Sequence, residues 1–133
     1  MSKRESIHIE NSHIQGVLKQ ESVEGKRLLE PLKEFAKING VPFNILEDKN
    51  VDNDAEVHMH EADLWHCLEG EVTFICGGQL VNGKAKVNKD GSLDEREWKA
   101  KEIKGGREMI LSPGDWLFIP AGEPHKHSAK GVA

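Results

Sequence analysis

Short apolar segments separated by turn residues follow one another from Val41 to the end of the chain. Segments of four to eight residues rich in Val, Ile, Phe and Trp, bounded by Gly, Pro, Asn or Asp, are typical of β-strands. Five segments fit this description: VPFNILE at 41–47, AEVHMH at 55–60, LWHCL at 64–68, EVTFIC at 71–76 and DWLFI at 115–119. The pattern predicts an all-β fold of many short strands, as in barrels and sandwiches.

The stretch between Cys76 and Leu111 is rich in turn signals and in charge. The pairs NG at 82–83, DG at 90–91 and GG at 105–106 are typical of hairpin turns. The short segments between them alternate charged and apolar residues, which is the pattern of strands with one face in water. We therefore expect an extended, partly exposed hairpin region between the two more apolar parts of the chain.

The first 40 residues have a different pattern. The segment SIHIEN at 6–11 fits a short edge strand. Further on, apolar residues recur at helical spacing, and Gly40 is a helix stop. The sequence leaves three alternatives for this helix. It begins with Ser22 as its N-cap, it begins only near Lys26, or it is kinked at Pro31. The apolar residues of the stretch are Leu28, Leu29, Leu32, Phe35 and Ala36. One N-terminal helix is therefore predicted before the β region.

Composition narrows the class of protein. With 133 residues the chain fits one domain, since a chain of this size buries roughly two-thirds of its unfolded surface. A net charge of -5 argues against nucleic acid or an anionic membrane as partner. No apolar run approaches the roughly 20 residues of a membrane span, and the start has no apolar core typical of a secretory signal. We expect a cytoplasmic protein, with Cys67 and Cys76 buried and reduced.

Histidines provide the candidate chemistry. Side chains two residues apart in a strand share a face, so His58 and His60 are expected to point the same way. Imidazole is the commonest metal ligand in proteins. His125 and His127 form a second such pair if their segment is extended, but KHSAKGVA at 126–133 has the composition of an exposed end. We therefore expect His127 to be a surface residue. His66 has the opposite strand parity to Asp63, Trp65 and Cys67, which are expected to face inward, so His66 is expected to face outward.

Two stretches of the chain resemble a known family. HMHEADLWHCLEG at 58–70 and GDWLFIPAGEPH at 114–125 are similar to the two signature motifs of the cupin superfamily. The resemblance implies a jelly-roll barrel of antiparallel strands, a double-stranded β-helix, that binds one metal ion. It also implies that His58, His60 and His125 are metal ligands. On this basis residues 1–133 form one cupin-like domain, with residues 1–40 as an N-terminal extension and 41–127 as the barrel.

The acidic ligand that the resemblance implies has two candidates. Counting back from Gly70 places it at Asp63, where the family usually has Glu, and only two residues separate Asp63 from His60. Glu61 lies within the same short stretch and is the competing candidate. We take Asp63 as the fourth ligand and leave Glu61 as its alternative.

The resemblance implies a metal-dependent function. Three imidazoles and one carboxylate suit one divalent transition metal ion: Fe, Mn, Ni or Zn. We expect a metal-dependent enzyme that acts on a small polar molecule, of isomerase, lyase or dioxygenase type. The alternative is a non-catalytic module that binds or senses a small ligand. The apolar walls of its site are expected to come from Trp65, Cys67, Phe74, Trp116 and Phe118.

Unpaired strand edges indicate how copies of the chain are expected to associate. A typical cupin has a further strand after the second motif, and here the chain has only eight residues after His125. We expect that strand to be missing or its place to be covered by a partner chain. Exposed edges at this end and at SIHIEN would then pair between copies, which predicts a homodimer. No other macromolecular partner is expected.

Overall fold

The computed structural model describes residues 5–133, which are mostly β. Residues 1–4 lie outside the described residues; the predicted N-terminal extension and the expectation of no secretory signal fall partly on them. The described elements are α1 (Asn11–Leu18), β1 (Gly25–Leu28), α2 (Leu32–Asn39), β2 (Leu46–Asp52), β3 (Ala55–His58), β4 (Asp63–His66), β5 (Val72–Cys76), β6 (Gln79–Leu80), β7 (Lys84–Val87), β8 (Leu93–Ala100), β9 (Ile103–Lys104), β10 (Arg107–Leu111), β11 (Trp116–Ile119) and β12 (His125–Val132).

The largest sheet has eight antiparallel strands. Its order runs β1-β2-β12-β3-β8-β7, and β12 also pairs along its other edge with β5, which in turn pairs with β10. The last strand of the chain is therefore central, because it is bonded to β2 and β3 on one side and to β5 on the other. This arrangement brings together residues that are far apart in the sequence.

Two small sheets complete the fold of residues 5–133. Strand β4 pairs with β11, and β6 pairs with β9. Within the described residues the strands thus form three separate sheets, and the hydrogen bonds do not close into the barrel that was predicted. The sheet β4–β11 is joined to the largest sheet by side-chain packing instead.

The main apolar core lies between the sheet β4–β11 and the strands β5 and β10. Phe74 and Ile119 are almost fully buried there, and Trp65 packs edge-on against Phe74 with 5.2 Å between ring centroids. The buried members of this cluster are Cys67, Phe74, Cys76, Leu111 and Ile119. Cys67 and Cys76 are both free, and burial raises the pKa of the Cys76 thiol to about 11.

The predicted apolar walls are only partly correct. Trp65, Cys67 and Phe74 face this core, but the side chains of Trp116 and Phe118 lie on the outer face of β11 and are 64% and 63% exposed. Strand alternation explains the difference, because residues 117 and 119 point inward and their neighbours must point outward. His66 is exposed, as predicted, and its ring stacks on Trp116 at 3.9 Å.

The N-terminal region differs from the single predicted helix. It contains two helices of eight residues each, with β1 between them, and the predicted edge strand at 6–11 is not formed. The stretch 25–28 is extended because it pairs with Leu46–Lys49 of β2, a long-range contact that helical spacing does not reveal. Helix α2 ends where predicted, since Gly40 adopts the left-handed conformation with φ 66°.

The two helices and the segments that follow β1 and precede β2 form a second, smaller apolar cluster. Its buried members are Val17, Leu29, Leu32 and Ile45. None of the helices among residues 5–133 has the length and apolar character to cross a membrane.

The end of the chain is not an exposed tail. Residues His125–Val132 form β12 in the middle of the sheet, so a strand does follow the second motif. His127, predicted to be a surface residue, is 4% exposed. The polar composition of residues 126–133 gave the wrong prediction because the segment is a strand. Lys126, Ser128 and Lys130 lie on one face of it, and the alternate residues point inward. The two edges on which the homodimer prediction relied are therefore absent from the described residues.

Candidate metal centre

Three strands place donor groups at one point inside the protein. Glu56 and His58 lie two residues apart on β3 and share a face. His125 begins β12 and stands directly opposite Glu56 in the ladder, so both side chains point to the same side of the sheet. Asp63, the first residue of β4, approaches from the small sheet.

The donor atoms of these residues lie close together. Nε2 of His58 is 3.4 Å from Oε1 of Glu56 and 3.7 Å from Oδ2 of Asp63. Nε2 of His125 is 3.4 Å from Oε1 of Glu56 and 3.2 Å from Oδ2 of Asp63. Glu56, His58 and His125 each offer one ligand atom, and these atoms lie within 4.8 Å of one another.

These separations fit a shared metal ion. Donor atoms about 2.1 Å from one ion lie roughly 3.0 to 3.4 Å apart at octahedral or tetrahedral angles. Two imidazole nitrogens and two carboxylates are also a donor set that divalent transition metals accept. The residues present therefore fit such an ion.

The orientation of His125 supports the same conclusion. Its Nδ1 is 3.2 Å from the carbonyl oxygen of Glu123, which can only accept, so Nδ1 carries the proton of the neutral ring. The lone pair on Nε2 then points at the carboxylates of Glu56 and Asp63. Nε2 is buried and meets no described group with hydrogen-bond geometry. A lone pair facing two carboxylates requires a positive charge between them, either a proton or a metal ion.

The electrostatics of the metal-free cluster follow from this arrangement. The direct interaction with the His125 imidazole lowers the pKa of Glu56 to about 2, against the opposing effect of burial. Burial alone would lower the pKa of His125, but the Glu56 carboxylate, the Glu123 carbonyl and Asp63 together raise it above 6.5. Without metal, the charged forms of Glu56 and His125 therefore stabilise each other.

The structure distinguishes the two candidate acids of the first motif. Asp63 reaches the cluster because β4 pairs with β11 in a register that sets Asp63 opposite Ile119, whose side chain is buried in the core. Directly opposite residues share a face, so Asp63 points inward. Glu61 lies in the connection before β4 and is exposed.

His60 is not brought into the cluster. The strand β3 ends at His58, and His60 lies exposed in the bend that follows. The carbonyl of His58 accepts a hydrogen bond from the backbone of Gly122 at 2.8 Å, so the chain turns away where the predicted alternation required it to continue. His58, Asp63 and His125 meet, and the position predicted for His60 is taken by Glu56.

Sequence reasoning missed Glu56 although a signal was present. In AEVHMH, Glu56 has the same parity as His58 and His60, so a strand through this segment places all three on one face. The choice between the pairs 56/58 and 58/60 depends on where the strand ends, and only the fold decides that.

A second polar group lies beside the cluster on β12. Nδ1 of His127 is 2.7 Å from Oδ2 of Asp48, and both residues are buried. The side-chain amide of Asn53 donates to the same Asp48 oxygen at 3.2 Å and to the His127 carbonyl at 3.2 Å. The His127 ring packs against both Trp65 and Phe74, with centroids 5.0 and 5.4 Å away. This network fixes His127 within the core.

Comparison of the chain with protein families, with curated proteins and with solved structures finds no match. The cluster of Glu56, His58, Asp63 and His125 therefore has to be interpreted from its own geometry.

Proposed function

We propose that this chain is a cupin-type protein that holds one divalent transition metal ion on Glu56, His58, Asp63 and His125. The observation that carries the proposal is the convergence of their donor atoms, at 3.2 to 3.7 Å, from the separate strands β3, β4 and β12. A cluster of this composition is unstable without a positive charge among the two carboxylates, and a metal ion supplies one.

The fold proposed for this function is the jelly roll. Antiparallel strands arranged as a large sheet and a small facing sheet, with a shared apolar core, support it. So does the position of the ligands, because residues of the first cupin-like motif lie on β3 and β4 and the histidine of the second opens β12.

The activity proposed is a metal-dependent reaction of a small polar molecule. The side chains of Glu56, His58 and Asp63 are 23%, 24% and 25% exposed, so one side of the cluster is open to solvent. His125 closes the other side, because its side chain is only 2% exposed. The ion would act as a Lewis acid toward a bound oxygen atom of the substrate. Glu56 and Asp63 would hold the ion, and Trp65 and Phe74 would limit access of water from the core side.

Metal analysis tests the ligand assignment. We expect the protein, as purified or after reconstitution, to hold about one divalent ion per chain, as a single donor cluster implies. His125→Ala, His58→Ala and Glu56→Ala should each lose most of it, as measured by elemental analysis after gel filtration. His60→Ala is the matched control, because His60 lies in the same segment but is exposed, and it should retain the ion. Absence of metal from the reconstituted protein, or equal loss in His60→Ala, would overturn the assignment.

Turnover assays test the catalytic part of the proposal separately. Metal-loaded protein is incubated with a panel of sugars, keto acids and catechols, with oxygen uptake and product formation as readouts. Activity that disappears in His58→Ala and persists in His60→Ala supports an enzyme. Saturable binding of a panel member without turnover would instead assign a non-catalytic, ligand-binding module.

A further inference from the structure

A small cavity lies where β2 and β3 are interrupted. Both strands pair with β12, Asp52 opposite Ser128 and Glu56 opposite His125, but residues 53–54 leave the ladder between them. The cavity at this break has a volume of about 170 Å³. It is lined by Lys26, Asn53, Asp54, Ala55, Glu56, Lys99 and His127.

The inner part of this cavity is rigidly built. The Asn53 side chain bonds to Asp48, and both its side chain and its backbone N–H donate to the His127 carbonyl. Because Asp48 also bonds the His127 ring, the three residues hold each other in one arrangement. The break in the strand is thus stabilised by specific hydrogen bonds.

Lysines stand on both sides of the cavity. Lys26 on β1 is directly opposite Asp48 on β2, and Lys99 on β8 is directly opposite Glu56 on β3. Directly opposite residues share a face, so both lysines belong to the same side of the sheet as the metal-centre residues. Both lysines line the cavity, Lys26 from β1 and Lys99 from β8.

The carboxylates at the cavity already have partners. Oδ1 of Asp54 is 2.9 Å from Nζ of Lys101, a residue that does not line the cavity. The Glu56 carboxylate faces the imidazoles of His58 and His125. The lysines are less well neutralised. Lys26 forms no ion pair within residues 5–133. The nearest carboxylate to Lys99 is that of Glu97, at 4.0 Å, and Glu97 is closer to Lys86. Among the described residues, the two lysines of the cavity therefore form no close ion pair with its two carboxylates, although Lys26 lies near enough to Glu56 to help lower the pKa of that carboxyl.

We propose that this cavity binds a small oxyanion, a carboxylate or phosphate group, between Lys26 and Lys99. Charge-assisted hydrogen bonds from ammonium groups are the interaction that such anions form in proteins. A volume of about 170 Å³ accommodates one such group together with water.

This site gives a substrate class for the metal centre. Glu56 lines the cavity and also belongs to the metal cluster, so the two sites are adjacent. A small molecule with an anionic group held by the lysines would present its neighbouring oxygen atoms to the ion. That link rests on the proposed metal function, whereas the oxyanion site itself stands on the cavity and its charges.

The site is tested by titrating the protein with inorganic phosphate and, separately, with acetate. Binding is measured from the shifts of backbone and side-chain amide signals in ¹⁵N NMR spectra. The Asn53 side chain and the Lys99 amide should shift in the wild type. Lys26→Gln and Lys99→Gln should each weaken binding by roughly fivefold or more. Lys33→Gln is the matched control, because Lys33 lies exposed on α2 away from the cavity, and it should bind like the wild type. The stronger of the two probes identifies the preferred anion.

Asp54→Asn gives a test of opposite sign. Removing this carboxylate, which is half exposed at the cavity, should strengthen phosphate binding by about twofold. Damage to the fold would weaken binding instead, so a gain cannot come from misfolding. Unchanged affinity in both lysine variants, or an equal loss in Lys33→Gln, would overturn the proposal.

Variants at the two sites test the oxyanion site and the metal site independently of each other. His125→Ala should lose metal and still bind phosphate, whereas the Lys26→Gln/Lys99→Gln double variant should hold metal and not bind phosphate at the cavity. Phosphate binding that disappears together with metal in His125→Ala, and survives in the double lysine variant, would assign the anion to the metal centre and refute the cavity site.

Discussion

His125 and Glu56 stand opposite each other on β12 and β3, with Nε2 and Oε1 3.4 Å apart. This pair joins two parts of the chain that are distant in the sequence, since His125 begins β12 and Glu56 lies on β3. It also defines the electrostatic state of the centre, because each group stabilises the charged form of the other.

The stability of the metal-free protein should depend on pH through this pair. The pKa of Glu56 is lowered from 4.5 to about 2, so its contribution is complete above 4.5 and is lost as pH falls through about 2. The pKa of His125 is raised above 6.5, so its contribution is complete below 6.5 and is lost as pH rises through the folded value. The free energy of unfolding, measured with urea, should therefore decline as the pH rises above 6.5.

Glu56→Gln should reduce the decline of the free energy of unfolding with pH. The Glu56 carboxylate raises the pKa of His125 most directly, and glutamine carries no charge. Glu108→Gln, an exposed change on β10, should leave the decline as it is in the wild type. A decline of the same size in the wild type and in Glu56→Gln would show that His125 and Glu56 are not coupled.

A divalent ion should stabilise the folded chain. Binding to the folded state alone adds about 2.7 kcal/mol at a free concentration 100 times Kd. Thermal melts with and without Zn²⁺ or Mn²⁺ should show a higher Tm for the wild type and for His60→Ala. His125→Ala should show no such increase. Because metal ligands must be unprotonated, the increase should grow as pH rises from 5.5 to 7.5, opposite to the trend of the metal-free protein.

Asn53 should contribute to stability through its side-chain bonds to Asp48 and His127. Asn53→Ala removes two side-chain hydrogen bonds from this partly buried network, and at about 0.5–1.5 kcal/mol each we expect a loss of about 1–3 kcal/mol in the free energy of unfolding. Asn88→Ala is the control, since the Asn88 side chain bonds only the exposed Ser92 in a surface turn. It should change stability by less than about 0.5 kcal/mol. Similar values for the two variants would mean that the Asn53 network does not stabilise the strand break.

Phe74 should be a principal core residue. It is 1% exposed, and Phe74→Ala is expected to cost about 3–5 kcal/mol. Phe118→Ala makes the same chemical change on a side chain that is 63% exposed and should cost less than about 0.5 kcal/mol. Urea denaturation measures both, and Phe74→Leu provides a milder change if the alanine variant does not fold. A large loss in Phe118→Ala would instead mean that the outer face of β11 is covered in solution.

The sequence alone indicated a β-rich chain after Val41 and some of the residues that the fold brings together. Alternation of apolar and polar residues and the positions of Gly and Pro are local properties, so the β-rich fold and the end of α2 at Gly40 could be inferred from them. The outward position of His66 followed in the same way, by counting residues along one strand. The candidates His58, Asp63 and His125 came instead from the resemblance of two stretches to the cupin motifs.

The tertiary structure decided where strands end and what lies beside them. His60 leaves the site because β3 stops at His58, whose carbonyl bonds Gly122 from the second motif. His127 is buried because β12 lies between other strands, and residues 25–28 are extended because β2 pairs with them. Each outcome depends on hydrogen bonds between segments that are distant in the sequence. Periodicity describes only neighbours along the chain, so it could not choose between Glu56 and His60.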